Sequence, residues 1–331
     1  MRPGGLKHLV SAVNAEAVPH LRVLILKENL LTTARAEEED YSPLTDLLST
    51  SGLRELEEFD LSRNRLFDRE IGGGGEGGEA EVVGVSAAAV AVPGRFPKLR
   101  RLDLWEHPSE MSSSQLVAFA TAVAAGGAPS LQELTLPGVT IFSNPDAQGV
   151  VALVNALSGG HLSQLKSFKV DQRDDITGEA FMNICRSLAT GQASLLQTLD
   201  LKMWDEENPE EGLRALAEGI CTRGLTALTS FSFQGFIISG GAMSTLGLAL
   251  GSGGCPCLQN LILSWEEEGD EGVGGLAEGL GGGRLSSLRD LSLEVGCGEK
   301  GGGEGSVALG EVLSTGKVGA FPSDGKSFVA Q

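Results

Sequence analysis

The 331-residue chain carries 44 acidic against 25 basic residues, a formal net charge of −19, together with 47 glycines and five cysteines. Nucleic acid is disfavoured as a ligand by such a balance, because phosphate binding needs clustered Lys and Arg. No run approaches the ~20 apolar residues that cross a bilayer, and the longest small-apolar stretch, Val82 to Val92, already contains Gly84 and Ser86.

In chain order, an amphipathic stretch with apolar residues at i, i+3, i+4 and i+7 is repeatedly followed by a short run of the form Leu-x-x-Leu-x-Leu. The first half has the period of a helix with one buried stripe, and the second that of a short strand buried on one side. Helices are predicted from leads at Leu6, Tyr41, Gly84, Leu116, Val150, Phe181, Leu213, Met243 and Val273. The matching strands lead from Leu21, Leu56, Leu99, Leu131, Leu165, Leu196, Leu228, Leu258 and Leu288, each 15 residues after its helix. The third helix is placed by spacing alone, since its stripe is only Ala87, Ala88 and Ala91. From strand lead to the next helix lead the separation runs from 15 to 28 residues, so length variation sits on one side of the repeat. A Gly/Glu-rich insertion occupies 72–83, and a tenth helix with Leu309 and Leu313 opens a degraded terminal unit at 306–331, where Phe321-Pro322-Ser323-Asp324 lacks the strand pattern.

Units of this size cannot fold alone; stacking buries what each leaves exposed. On these nine runs the chain resembles the leucine-rich repeat family, and within it the ribonuclease-inhibitor type with a full helix per repeat. The resemblance implies an α/β solenoid, a horseshoe with parallel strands on the concave face and helices on the convex face, and 1–331 as a single repeat domain. That family usually has Asn or Cys three residues after the last Leu, where the side chain satisfies backbone groups in the turn. Here the position holds Asn29 and Asn64 but then His107, Val139, Arg173, Trp204, Phe236, Glu266 and Gly296, so less regular turns are expected after the later strands.

The nine strand-to-helix connections hold 26 acids and 5 bases, an excess of 21 negative charges that exceeds the whole net charge of −19. In a solenoid these connections emerge along one edge, so an acidic rim is expected. Two readings stay open: acids near helix N-termini that favour the helix dipole, or a rim that attracts a basic protein surface or weakly collects divalent cations.

The non-Leu strand positions should form columns on the inner face. One column holds Ile25, Asp60, Asp103, Thr135, Lys169, Asp200, Ser232, Ile262 and Ser292; the next includes Lys27, Trp105 and Lys202, with Met203 and Trp265 beside them. Aromatic residues are enriched where partners bind, and mixed charge suits specific pairing. Asp60, Asp103, Trp105, Lys169, Asp200, Lys202, Met203 and Trp265 are therefore the candidate partner-binding residues, with Trp105 and Trp265 expected to face solvent unless neighbours cover them.

No enzyme is expected. Gly72 to Gly77 matches a dinucleotide-binding glycine pattern by chance, without the strand-to-helix context. Ser314-Thr315-Gly316-Lys317 lacks the first Gly of a phosphate loop and has Val318 where Ser or Thr would hold magnesium. His8, His20, His107 and His161 fall in different repeats without triad or metal spacing. Cys185, Cys221, Cys255, Cys257 and Cys297 form no disulfide framework and read as reduced thiols, and Cys255-Pro256-Cys257 alone is weak evidence for a metal. The N-terminus has no secretory leader pattern. The expectation is a cytoplasmic protein-binding module without cofactor, metal, nucleic acid or membrane, whose partner carries a basic patch. The alternative is a GTPase-activating region or the sensing arm of an NTPase receptor, which a start inside a helix permits.

Overall fold

The computed structural model describes residues 3–29, 42–64, 89, 91–105, 111–136, 139–140, 148–171, 178–202, 210–222, 225–267, 271–297 and 303–314. The chain forms two compact units, Met1–Ala156 and Leu157–Gln331.

In the first unit, β1 (Val23–Ile25), β2 (Glu58–Asp60), β3 (Arg101–Asp103) and β4 (Glu133–Leu136) pair in parallel and in chain order. Its helices are α1 (Pro3–Asn14), α2 (Ser42–Ser49) and α3 (Ser113–Ala124), and α4 (Gln148–Ser158) spans the division. Met111–Ser112 and Val139–Thr140 make a further short parallel pair. The second unit holds β5 (Ser167–Asp171), β6 (Thr198–Lys202), β7 (Ser230–Ile237), β8 (Asn260–Glu267) and β9 (Asp290–Cys297), again parallel and in chain order. Between them run α5 (Gly178–Leu188), α6 (Glu210–Cys221), α7 (Gly240–Ala249) and α8 (Glu271–Gly281), with α9 (Glu304–Ser314) after the last strand. Each unit is an α/β solenoid in which parallel strands alternate with helices.

The fixed 15-residue spacing has a structural cause. In all nine repeats the backbone N–H of the strand lead donates to the carbonyl three residues earlier, as in Leu21 to Val18 (3.1 Å), Leu131 to Ala128 (3.2 Å) and Leu288 to Leu285 (3.0 Å). One tight turn thus joins helix to strand throughout and leaves no room for insertions. The two apolar residues that follow each lead are buried in every described strand except the last, where Leu291 is half-buried and Leu293 buried. Leu21, two residues ahead of β1, is also half-buried.

Nine of the ten predicted helices are present among the described residues. The third, led from Gly84, lies almost wholly outside the described residues, although Ala91 of its stripe is buried. The insertion at 72–83 and 315–331 of the terminal unit lie outside them too; its helix, α9, buries Leu309.

Glycine lets neighbouring backbones touch where helices stack in the second unit. A Cβ on Gly279 would lie 1.9 Å from the Gly247 carbonyl oxygen, and one on Gly254 would lie 1.8 Å from that of Ile220. No side chain fits at either position.

Candidate functional site

Strand alternation sets the face. Residues on the Leu positions point to the helices, and those between them point away. In the first unit the outward positions carry Val23, Ile25 and Lys27 from β1 and its turn, Asp60 from β2, Arg101 and Asp103 from β3, and Glu133 and Thr135 from β4. Ile25 is 61% exposed, a large apolar side chain at the edge of the sheet.

Asp60 and Asp103 are direct partners in the register of β2 with β3. Each carboxylate folds back on its own turn: Asp60 Oδ1 accepts from the Ser62 N–H (2.9 Å) and Asp103 Oδ1 from the Trp105 N–H (3.1 Å). This is the side-chain-to-backbone turn that aspartate favours. Partial burial raises the Asp103 carboxyl above its usual range and the Asp60 charge adds to the rise, while the Trp105 N–H and Arg101 oppose it. Arg101 reaches Glu133 at 3.6 Å and Asp103 at 4.0 Å.

Trp105 is half-buried, and the Arg63 guanidinium lies 4.9 Å from its ring centroid. A contact of this kind is worth ~0.5–1 kcal/mol at an exposed site. Arg63 adopts φ of 60° and Glu28 one repeat earlier adopts 57°, both left-handed, and their side chains meet at 3.9 Å. The sequence reading missed Arg63. Its signal was positional, since Arg63 and Trp105 fall seven and six residues after consecutive strand leads.

The expected asparagine turn is present where the sequence keeps it. Buried Asn64 donates through Nδ2 to the carbonyls of Leu26 (2.7 Å), Leu61 (2.8 Å) and Ser62 (3.2 Å), and its Oδ1 accepts from the Asn29 N–H (2.9 Å). One amide thereby locks two consecutive turns and presents Lys27, Arg63 and Trp105 beside the strands.

In the second unit, Lys169, Asp200 and Ser232 are register neighbours, as are Lys202 and Gln234. Lys169 is exposed, and Asp200 and Lys202 are half-buried. Asp200 Oδ1 is shielded and lacks a hydrogen-bond partner among the described residues. Ile262 and Ser292 continue the outward column, and Ser264 donates to Glu294 at 3.4 Å. The structure therefore gathers Asp60, Asp103 and Trp105 on one unit's strand face and Lys169, Asp200 and Lys202 on the other's. Met203 lies outside the described residues.

Trp265 corrects the sequence expectation. It is 1% exposed and ranks among the largest fully buried side chains. Trp265 was expected to face solvent beside the inner-face columns, but β8 runs to Glu267, so alternation carries Trp265 to the same side as Leu261 and Leu263. Its indole N–H has no partner among the described residues. Trp265 is a core residue and leaves the candidate set.

Most of the acidic connections lie outside the described residues, so the rim is not placed. Of the described acids, Glu210, Glu211, Glu271 and Glu304 occupy first turns of their helices, where the helix dipole favours negative charge, and Glu210 reaches Arg214 at 3.8 Å. No group of acids, histidines or cysteines among the described residues is arranged to hold a metal ion, and no described helix is long and apolar enough to cross a membrane.

No family model matches the chain, and no curated protein matches it. Similar solved structures include leiomodin-1 actin-binding site 2, at 14% identity and a TM-score of 0.35, with 52% of this chain and 90% of that chain covered. Another is Rad7 in complex with Elc1 from yeast, at 14% identity and a TM-score of 0.36, covering 93% and 74%. A third is TLR13 in complex with ssRNA13, at 14% identity and a TM-score of 0.35, covering 84% and 40%.

Proposed function

We propose that this protein is a non-catalytic protein-binding module of the helix-bearing, ribonuclease-inhibitor-like kind, and that it docks its partner on the outward face of the strands. The observation that carries the reading is the constellation on β2 and β3: paired Asp60 and Asp103, held by their own turns, beside the Arg63–Trp105 stack and the exposed Ile25. Preorganised charges beside an aromatic ring and an apolar side chain provide what protein interfaces use: direction from the charges and affinity from the apolar and aromatic area. The sequence adds the sign of the partner. With 21 excess negative charges in the connections, encounter with a basic surface is favoured and falls with ionic strength.

Quantitative affinity purification from a native lysate tests this. The triple variant Asp60→Ala, Asp103→Ala, Trp105→Ala should lose the partners that wild type retains, while His8→Ala, an exposed change on α1, keeps them. Equal recovery by the triple variant and wild type would refute the assignment of the face.

A further inference from the structure

Three of the cysteines lie in neighbouring repeats of the second unit, with Cys221 and Cys257 both near Cys255. Cys221 ends α6, and Cys255 and Cys257 flank Pro256 in the turn that leads into β8. The stacking that joins these repeats is close there. The Ile220 carbonyl oxygen lies so close to Gly254 that a Cβ on the glycine would stand 1.8 Å from it. Each of these contacting residues is followed directly by a cysteine, so Cys221 and Cys255 are neighbours across the repeat interface, and Cys257 lies two residues further along the same turn. Cys221 and Cys257 are exposed, whereas Cys255 is buried.

We propose that Cys221 and Cys257 form an oxidisable thiol pair that closes to an intramolecular disulfide under a peroxide, linking the end of α6 to the turn before β8. Chemistry separates the roles of the three thiols. The thiolate is the reactive form, and it needs access to solvent. Burial, together with the charges that Cys221 and Cys257 would carry, pushes the Cys255 thiol up to about 12, so it stays protonated and shielded. The two exposed thiols are left to react.

In the first step the Cys221 thiolate attacks one oxygen of hydrogen peroxide. The O–O bond breaks, and sulfenic acid and hydroxide form. In the second step the Cys257 thiolate attacks the Cys221 sulfur, the S–O bond breaks, and hydroxide leaves to be protonated. Two thiols and one peroxide give one disulfide and two waters. Closing the bond brings the two Cα atoms within about 7 Å. It also cross-links two stacked repeats, which restricts their separation on unfolding.

The test uses the full chain with Cys297→Ser, treated with hydrogen peroxide and analysed by intact mass and by peptide mapping after alkylation. The expected result is a monomer lighter by about 2 Da, as two lost hydrogens require, with Cys221 and Cys257 both protected from alkylation and both restored by dithiothreitol. In that background Cys221→Ser should abolish the mass loss and leave Cys257 open to a sulfenic-acid probe. Circular dichroism matching the parent checks that this exposed substitution leaves the fold intact. A bond to Cys255 or Cys185, a disulfide-linked dimer, or mass loss that survives Cys221→Ser would each overturn the assignment.

Discussion

Replacing Asn64 by alanine probes the point where sequence pattern becomes local structure. The amide is buried and makes two short donated bonds, at 2.7 and 2.8 Å, a longer one at 3.2 Å, and one accepted bond at 2.9 Å. Alanine removes all four and leaves the carbonyls of Leu26 and Leu61 and the N–H of Asn29 to find other partners. Each buried group left unpaired costs ~1–3 kcal/mol, and partial relaxation and water entry return some of it. A loss of ~3–5 kcal/mol is expected. Asn29→Ala is the control: its side chain makes an exposed bond to the Lys27 carbonyl, worth ~1 kcal/mol. Urea unfolding followed by circular dichroism gives the size of the effect. Hydrogen exchange gives its location, because arrays unravel locally and two-state bookkeeping alone is unsafe. Peptides spanning 22–29 and 56–64 should exchange faster, and those spanning 258–265 should not. If Asn64→Ala costs no more than Asn29→Ala, the amide does not hold the turns together.

Four other outcomes follow from the same geometry. Trp265→Ala should cost ~3–5 kcal/mol in urea unfolding and leave partner recovery per folded molecule unchanged, since the side chain is buried; lost binding by fully folded protein would contradict the core assignment. Gly254→Ala should destabilise by at least ~1–3 kcal/mol, because its new methyl meets the Ile220 carbonyl, and a neutral result would show that the repeats can part without cost. Leu199→Ala and Leu261→Ala should each cost ~2–5 kcal/mol by the same assay. Asp103→Asn keeps an acceptor for the Trp105 N–H and removes a carboxylate whose folded pKa is raised. A raised carboxylate gives stability below its unfolded value that is lost as pH rises through the folded one. The variant should therefore be at least as stable as wild type at pH 7, with the difference vanishing as pH falls below about 3.8; a gap that widens on acidification would refute the sign.

The architecture was legible because Leu-x-x-Leu-x-Leu fixes both the period and the inward face, and because the turn before each strand admits no variation in length. Asp60, Asp103 and Lys169 were placed on the outward face by the same arithmetic. Trp265 was misplaced because nothing in its own repeat says where the strand ends; only pairing with β9 as far as Glu267 extends the alternation. Arg63 was missed because its partner ring lies one repeat away, 42 residues along the chain. The thiol cluster was hidden for a similar reason: 34 residues separate Cys221 from Cys255, and stacking plus a side-chain-free Gly254 bring them together. What escapes sequence reading here is contact between repeats, which depends on where each strand and turn stops.

The docking face is tested most directly by site-specific photo-cross-linking. A benzophenone amino acid is placed singly at Ile25, Thr135, Ser232 and Ile262 on the strand face and at Val151 and Leu248 on the helices, and the protein is irradiated in native lysate. In each unit the strand-face positions should capture a partner that the helix positions do not. Capture from Val151 or Leu248 with silence from all four strand positions would contradict the account.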